Sequence, residues 1–132
     1  AEFSVISLDN KTFNLASLRG KVVVLNFWYV GCGPCHVEIP SLNKLVDQYQ
    51  GKAIEFIAVA LTDKAKLESF LKKNPFNYHI IPDGEAIAKK FGVKLYPTHI
   101  IIDQEGNIAY TSSGGSPNIH ENLKPMIERL LP

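Results

Sequence analysis

The sequence has only two cysteines, one tryptophan and one methionine in 132 residues. Two cysteines are too few for a disulfide-stapled scaffold, and a structural metal site normally takes four ligands. Net charge is also scarce, at +1. No cluster of Lys and Arg suits a nucleic acid, and the pairs Lys72-Lys73 and Lys89-Lys90 read as solvated helix faces. No apolar run approaches the ~20 residues that cross a bilayer. The longest, Val22 to Val30, is broken by Asn26. The chain starts Ala1-Glu2-Phe3, without the basic flank or apolar stretch of a leader, although a cleaved leader or removed anchor would leave the same picture. Repeats, linkers and low-complexity stretches are absent too. What remains is an ordinary globular composition, 45% hydrophobic and 20% charged, expected to fold as one domain over residues 1–132.

The pattern along the chain alternates strands and helices. Ser4 to Asp9 reads as a short edge strand ending in a turn at Asp9-Asn10-Lys11. Val22 to Tyr29 is β-branched, aromatic and nearly all apolar, as expected of a strand buried on both faces. After Cys32 the period changes. Leu42, Leu45, Val46 and Tyr49 fall on one helix face, with Gly51 placed to close the helix and Pro40 expected to kink it. Ile54 to Leu61 is a second buried strand. A helix follows, capped by Thr62 or Asp63 and ending before Pro75. Tyr78 to Ile81 is a third strand, and Glu85 to Phe91 a short helix. Thr98 to Ile102 and Ile108 to Thr111 are strands joined by a loop too short for a crossover, so they must be antiparallel. A final helix begins near Asn118, with Asn118 and Glu121 spaced as a capping box; Pro125 implies a kink or a later start. Alternation of this kind gives an α/β fold with a mixed central sheet.

The two cysteines stand as Cys32-Gly33-Pro34-Cys35, where the buried strand ends and a helix begins. A cysteine reacts as its thiolate, and a helix N-terminus lowers a thiol pKa through unpaired N–H groups and the helix dipole. Pro34 suits the first turn, where its missing N–H costs nothing. Cys32 is therefore expected as the exposed, activated nucleophile. Cys35 lies one turn on, with Cβ atoms about 5–6 Å apart for such a pair, so a small adjustment closes a disulfide. Attack by Cys32 and resolution by Cys35 would constitute dithiol–disulfide exchange.

The same segments resemble thioredoxin: Phe27-Trp28, Cys32 to Cys35, Pro40 in the following helix, and Tyr96-Pro97-Thr98 before a strand. Leu18 to Val23, Leu25 to Trp28, Glu38 to Leu42 and the Ile102-Asp103-…-Gly106 hairpin narrow this to the TlpA/ResA-like branch of extracytoplasmic thiol–disulfide oxidoreductases. The resemblance implies a thioredoxin-like fold with an N-terminal β extension and an inserted helix and strand over Thr62 to Pro82. It also implies roles. Cys32 attacks, Cys35 resolves, and Pro97 is a cis-proline. Tyr96 presents its backbone to an extended substrate, Trp28 lies at the substrate site, and Glu38 is the branch's acidic residue three past the second cysteine, there to shuttle protons or to raise a thiol pKa through like-charge coupling. No organic cofactor and no metal are implied. The implied partners are a protein disulfide and an upstream thiol reductant embedded in the membrane, for a monomer that works outside the cytoplasm, with cytochrome c maturation as one setting.

Two residues depart from the thioredoxin pattern. Asn26 stands where thioredoxin has a buried aspartate, which leaves Glu38, His36 or water to move protons. Gly31 stands where a tryptophan usually precedes the first cysteine, with Tyr29 near enough in sequence to compensate. Three other chemistries fit parts of the motif. Cys32-Gly33-Pro34-Cys35-His36 also spells a c-type haem attachment site, which would need His36 and a methionine such as Met126 as axial ligands. Thiolates with a histidine could hold copper, although His79, His99 and His120 have no clear claim as ligands. A peroxidase would need one strongly activated cysteine beside Thr or Arg, and nothing marks one.

Overall fold

A computed structural model describes residues 3–132, so Ala1 and Glu2, read above for a leader, lie outside the described residues. The chain opens with a small antiparallel hairpin, β1 (Ser4–Ile6) and β2 (Thr12–Asn14). The expected edge strand is thus half of a separate two-stranded sheet. Its partner Thr12–Asn14 carries no sequence signal, because only Phe13 of the three is buried and so short a stretch shows no period. Asn10, at φ 62°, makes the turn, a conformation that asparagine tolerates. A one-turn helix, α1 (Leu15–Leu18), follows. Its capping box is reciprocal: the Ser17 N–H donates to Asn14 Oδ1, and the Asn14 N–H to Ser17 Oγ.

The main sheet has five strands in the order β5-β4-β3-β6-β7. These are β3 (Val22–Trp28), β4 (Ile54–Ala60), β5 (His79–Ile81), β6 (Thr98–Ile102) and β7 (Ile108–Ser113). β3, β4 and β5 run parallel, whereas β6 is antiparallel to both β3 and β7. Between them lie α2 (Gly33–Gln48), α3 (Lys64–Lys73) and α4 (Glu85–Lys90), and α5 (Ile119–Leu130) closes the chain. This is the thioredoxin-like arrangement expected, with the β extension; α3 and β5 fall within Thr62 to Pro82, the stretch that the resemblance reads as inserted.

β3 is buried along its whole length because both faces are covered. Val22, Val24 and Trp28 pack with Cys35, Leu42 and Leu45 of α2, Leu67 of α3 and Leu123 of α5. Val23, Leu25 and Phe27 pack on the opposite side with Phe13, Leu18 and Ala88. Helix ends differ in detail from expectation. Asp63 caps α3, accepting from the Lys66 N–H at 2.9 Å. Asn118 makes no side-chain cap; instead its own N–H donates to Ser116 Oγ. α2 ends at Gln48 with Tyr49 as C-cap, so Gly51 (φ 78°) falls one position beyond the expected C′. Both α2 and α5 stay helical through Pro40 and Pro125, which rules out the later start for α5.

Candidate active site

Buried β3 delivers the chain to one end of the sheet, and a tight turn reverses it into α2. The Cys32 N–H donates to the Tyr29 carbonyl at 3.1 Å, closing that turn. Cys32 is the N-cap of α2, and its Sγ accepts from the Cys35 N–H at 3.3 Å. Pro34 lies in the first turn. The turn is tethered from two sides. The Val30 N–H donates to Thr62 Oγ1 at 3.0 Å, so Thr62 serves the site rather than capping α3. The His36 Nε2 bonds the Val30 carbonyl, and its ring stacks on Phe70 at 4.8 Å between centroids.

Cys32 and Cys35 are joined, with S–S 2.18 Å and Cα–Cα 5.3 Å. One expectation fails in this oxidised form. Cys32 is not exposed: it retains 3% of its surface and Cys35 1%. Its sulfur is turned back onto the first turn of α2, bonded to Cys35 and accepting from its amide, and the residue belongs to the buried cluster that holds Trp28, Cys35 and Ile39. The flanking Gly31, Gly33 and Pro34 are exposed, and a side chain at Gly33 would meet nothing within 4 Å.

The remaining expected residues separate into surface and interior. Tyr96-Pro97 is a cis peptide bond. Tyr96 is half-buried and packs edge-on against the exposed Tyr29 at 5.6 Å. The Tyr29 ring lies beside Gly31, 3.7 Å from where a Cβ would stand, so it covers part of the space a tryptophan would fill. Trp28 must be corrected as a substrate contact. It is fully buried, packed against Phe70 and Phe76, and forms the floor behind the site rather than its face.

Glu38 is also interior, not a surface carboxylate of the first turn. It shares the inner face of α2 with Cys35, Ile39 and Leu42. Its Oε1 lies 2.7 Å from Nε2 of His99, which is equally buried. The contact is close but lacks hydrogen-bond alignment. Tyr78 completes the group. Burial, and then the Glu38 charge, push its phenol well above the ordinary range. Asn26 sits opposite His99 across the β3–β6 pairing.

Sequence reasoning gave His99, Tyr78 and Gly115 no part in the site. A strand buried on both faces gives a histidine no distinguishing period. Gly115 lies in the loop after β7, where a Cβ would stand 2.4 Å from the Pro34 carbonyl oxygen. Among the described residues no group of three or more His, Cys, Asp and Glu is placed to hold a metal ion. His36 is turned onto Val30 and Phe70 rather than outward, and Met126 lies on α5, which works against the haem arrangement.

Comparison with known proteins agrees with this geometry. The Redoxin family model matches residues 2–127. The chain is 33% identical over 133 residues to the thiol–disulfide oxidoreductase ResA of Bacillus thuringiensis subsp. konkukian, covering 98% of this chain and 75% of that protein. ResA of Geobacillus thermodenitrificans is 30% identical, covering 99% and 75%. The crystal structure of a thiol:disulfide interchange protein DsbE from Chlorobium tepidum superposes with a TM-score of 0.90 at 27% identity, covering 100% of this chain and 94% of that one.

Proposed function

The chain belongs to the Redoxin family, in its TlpA/ResA-like branch, and is a disulfide oxidoreductase working through Cys32 and Cys35; from that premise we propose that it reduces protein disulfides outside the cytoplasm. The observation that carries the mechanism is the position of the Cys32 sulfur at the N-cap of α2, where it accepts the Cys35 N–H. A thiolate there is stabilised by the helix end.

In the reduced protein, breaking the S–S bond frees the Cys32 sulfur to rotate outward between Gly31 and Gly33, neither of which has a side chain to obstruct it. Cys32 attacks one sulfur of the substrate disulfide, and the other sulfur leaves as a thiolate. The product is a mixed disulfide. Cys35 then loses its proton and attacks the Cys32 sulfur, and the substrate's second sulfur leaves with the electron pair. Glu38, one turn from Cys35 on the same buried face, is the base for that proton. His36 is already engaged with Val30. The rim of Tyr29, Leu95 and Tyr96 offers apolar surface to an unfolded or extended substrate, and the Tyr96 backbone next to Pro97 offers strand-like hydrogen bonds.

The chemistry uses the dithiol alone, without an organic cofactor. The reducing direction follows from the Gly-Pro between the cysteines, shared with strongly reducing thioredoxin at about −270 mV. The protein would act as a monomer and be recharged by an upstream thiol reductant in the membrane. By analogy with the branch, cytochrome c maturation is a setting for it. No helix is long and apolar enough to cross a membrane among the described residues.

The test is Cys35→Ser. It should accumulate a mixed disulfide on Cys32 with its substrate, identifiable after non-reducing separation. A variant that captures no protein, while Cys32 alone still reacts with a small disulfide, would sink the substrate class. A potential near about −120 mV, the oxidising end of the range, would reverse the direction.

A further inference from the structure

A lone carboxyl with both oxygens buried would bind a proton and cease to be a base, because burial penalises its charged form. Glu38 is wholly buried, yet its Oε1 lies 2.7 Å from Nε2 of His99, itself wholly buried. The contact joins α2 to β6, two residues beyond Pro97. The other groups around it are few. Tyr78, leading into β5, is a phenol held neutral by burial and by the Glu38 charge. Asn26 of β3 is uncharged. On α5, His120 is engaged with Ser41, whose Oγ lies 2.5 Å from Nδ1 and also accepts the His120 N–H. Among these, His99 alone is placed to stabilise a Glu38 carboxylate directly.

We propose that His99 is a positioning residue for the resolving step: it holds Glu38 in its carboxylate form one turn from Cys35, so that Glu38 can take the Cys35 proton. The step balances. The proton passes from Cys35 Sγ to Glu38, and the Cys35 thiolate bonds to Cys32 Sγ. The bond from Cys32 to the substrate sulfur breaks, and its electron pair leaves with that sulfur. The inference rests on the reading of Glu38 as the base.

An aromatic disulfide that releases a coloured thiolate separates the two events in the reduced protein. The first equivalent reports attack by Cys32, and the second reports resolution by Cys35. His99→Leu should shift the acid limb of the second phase to higher pH by about 1–3 units, while leaving the first phase in place. His99→Gln, which keeps a donor for the carboxylate, should recover most of that shift. In a Glu38→Gln background, His99→Leu should add no further shift. An unmoved limb in His99→Leu, or an equal shift with and without Glu38, overturns the pairing. A Glu38→Gln variant with an unchanged second phase instead overturns Glu38 as the base, and the pairing with it. Should the His99 variants not fold, the protein that keeps His99 still decides. Its His99 ring nitrogen resonances at one fixed pH should move when Glu38→Gln removes the carboxylate charge, and unmoved resonances would refute the pairing.

Discussion

Gly115 offers the sharpest steric test of how the site is built. A Cβ there would stand 2.4 Å from the Pro34 carbonyl oxygen and 3.0 Å from both the Pro34 carbonyl carbon and its Cβ. The oxygen contact must open by nearly ~1 Å before it is tolerable, and the atoms in the way are backbone, not a flexible side-chain tip. Either the loop retreats into solvent or the first turn of α2 shifts, and that turn carries both sulfurs. Gly115 is exposed, so the loop can give and the fold should lose only about 1 kcal/mol. A displacement approaching ~1 Å between reacting groups can cost about 100-fold in rate. Gly115→Ala should therefore slow reduction of insulin by a dithiol by roughly 10- to 100-fold, with a nearly unchanged melting temperature. Gly114→Ala is the control. It meets nothing within 4 Å but sits at φ 96°, so it should lose stability while turning over near the normal rate. A Gly115→Ala protein with normal turnover would refute the claim that this loop sets the position of the cysteine pair.

Other outcomes follow from the geometry. Asp63→Ala removes the cap of α3 and should cost about 1 kcal/mol, read as a lower urea midpoint with unchanged slope. Gly84→Ala would drive a Cβ to 2.2 Å from Val59 Cγ1 and 3.1 Å from the Ala60 carbonyl, so a loss of about 1–3 kcal/mol is expected by thermal unfolding. At alkaline pH, Tyr49 and Tyr78 should limit stability. Burial and the Glu128 hydrogen bond raise the Tyr49 phenol, and burial with the Glu38 charge raises Tyr78. Folded values above the unfolded value of about 10 mean full stability below pH ~10 and progressive loss above it. Tyr49→Phe should flatten that decline above pH ~10, and an unchanged slope there would count against it.

The parts of this fold that were legible in the sequence are those with long, unambiguous periods. β3 and β4 show as unbroken apolar stretches, and α2 as a 3.6-residue repeat beginning at a Cys-Gly-Pro-Cys motif. The hairpin was not legible because strands of three residues carry no period, and its turn at Asn10 was read without its second arm. The capping box at Asn118 failed because spacing alone does not fix φ and ψ. Asn118 sits at φ −116°, ψ 28° and turns its backbone N–H to Ser116. Glu38 was half legible. Its spacing from Cys35 and Leu42 places it on the inner face of α2, but charge argued for the surface, and only His99 arriving from β6 explains how the fold accommodates it. Gly115 left no sequence signal, since its closeness to Pro34 arises from two segments far apart in the chain. Trp28 was drawn toward the substrate by the resemblance, whereas the apolarity of β3 already assigned it to the core.

The N-terminal hairpin has a consequence for the sheet it does not belong to. β5 is an outermost strand, and unpaired strand borders invite other chains to pair there. The segment after β1 runs along that border, with the Leu8 N–H donating to the Ile80 carbonyl at 2.8 Å and Asp9 bonded to His79. The opening residues therefore shield a surface that would otherwise recruit a second molecule. Proteolytic trimming up to about Asn10 would leave the cysteine pair intact and yet open this border to self-association.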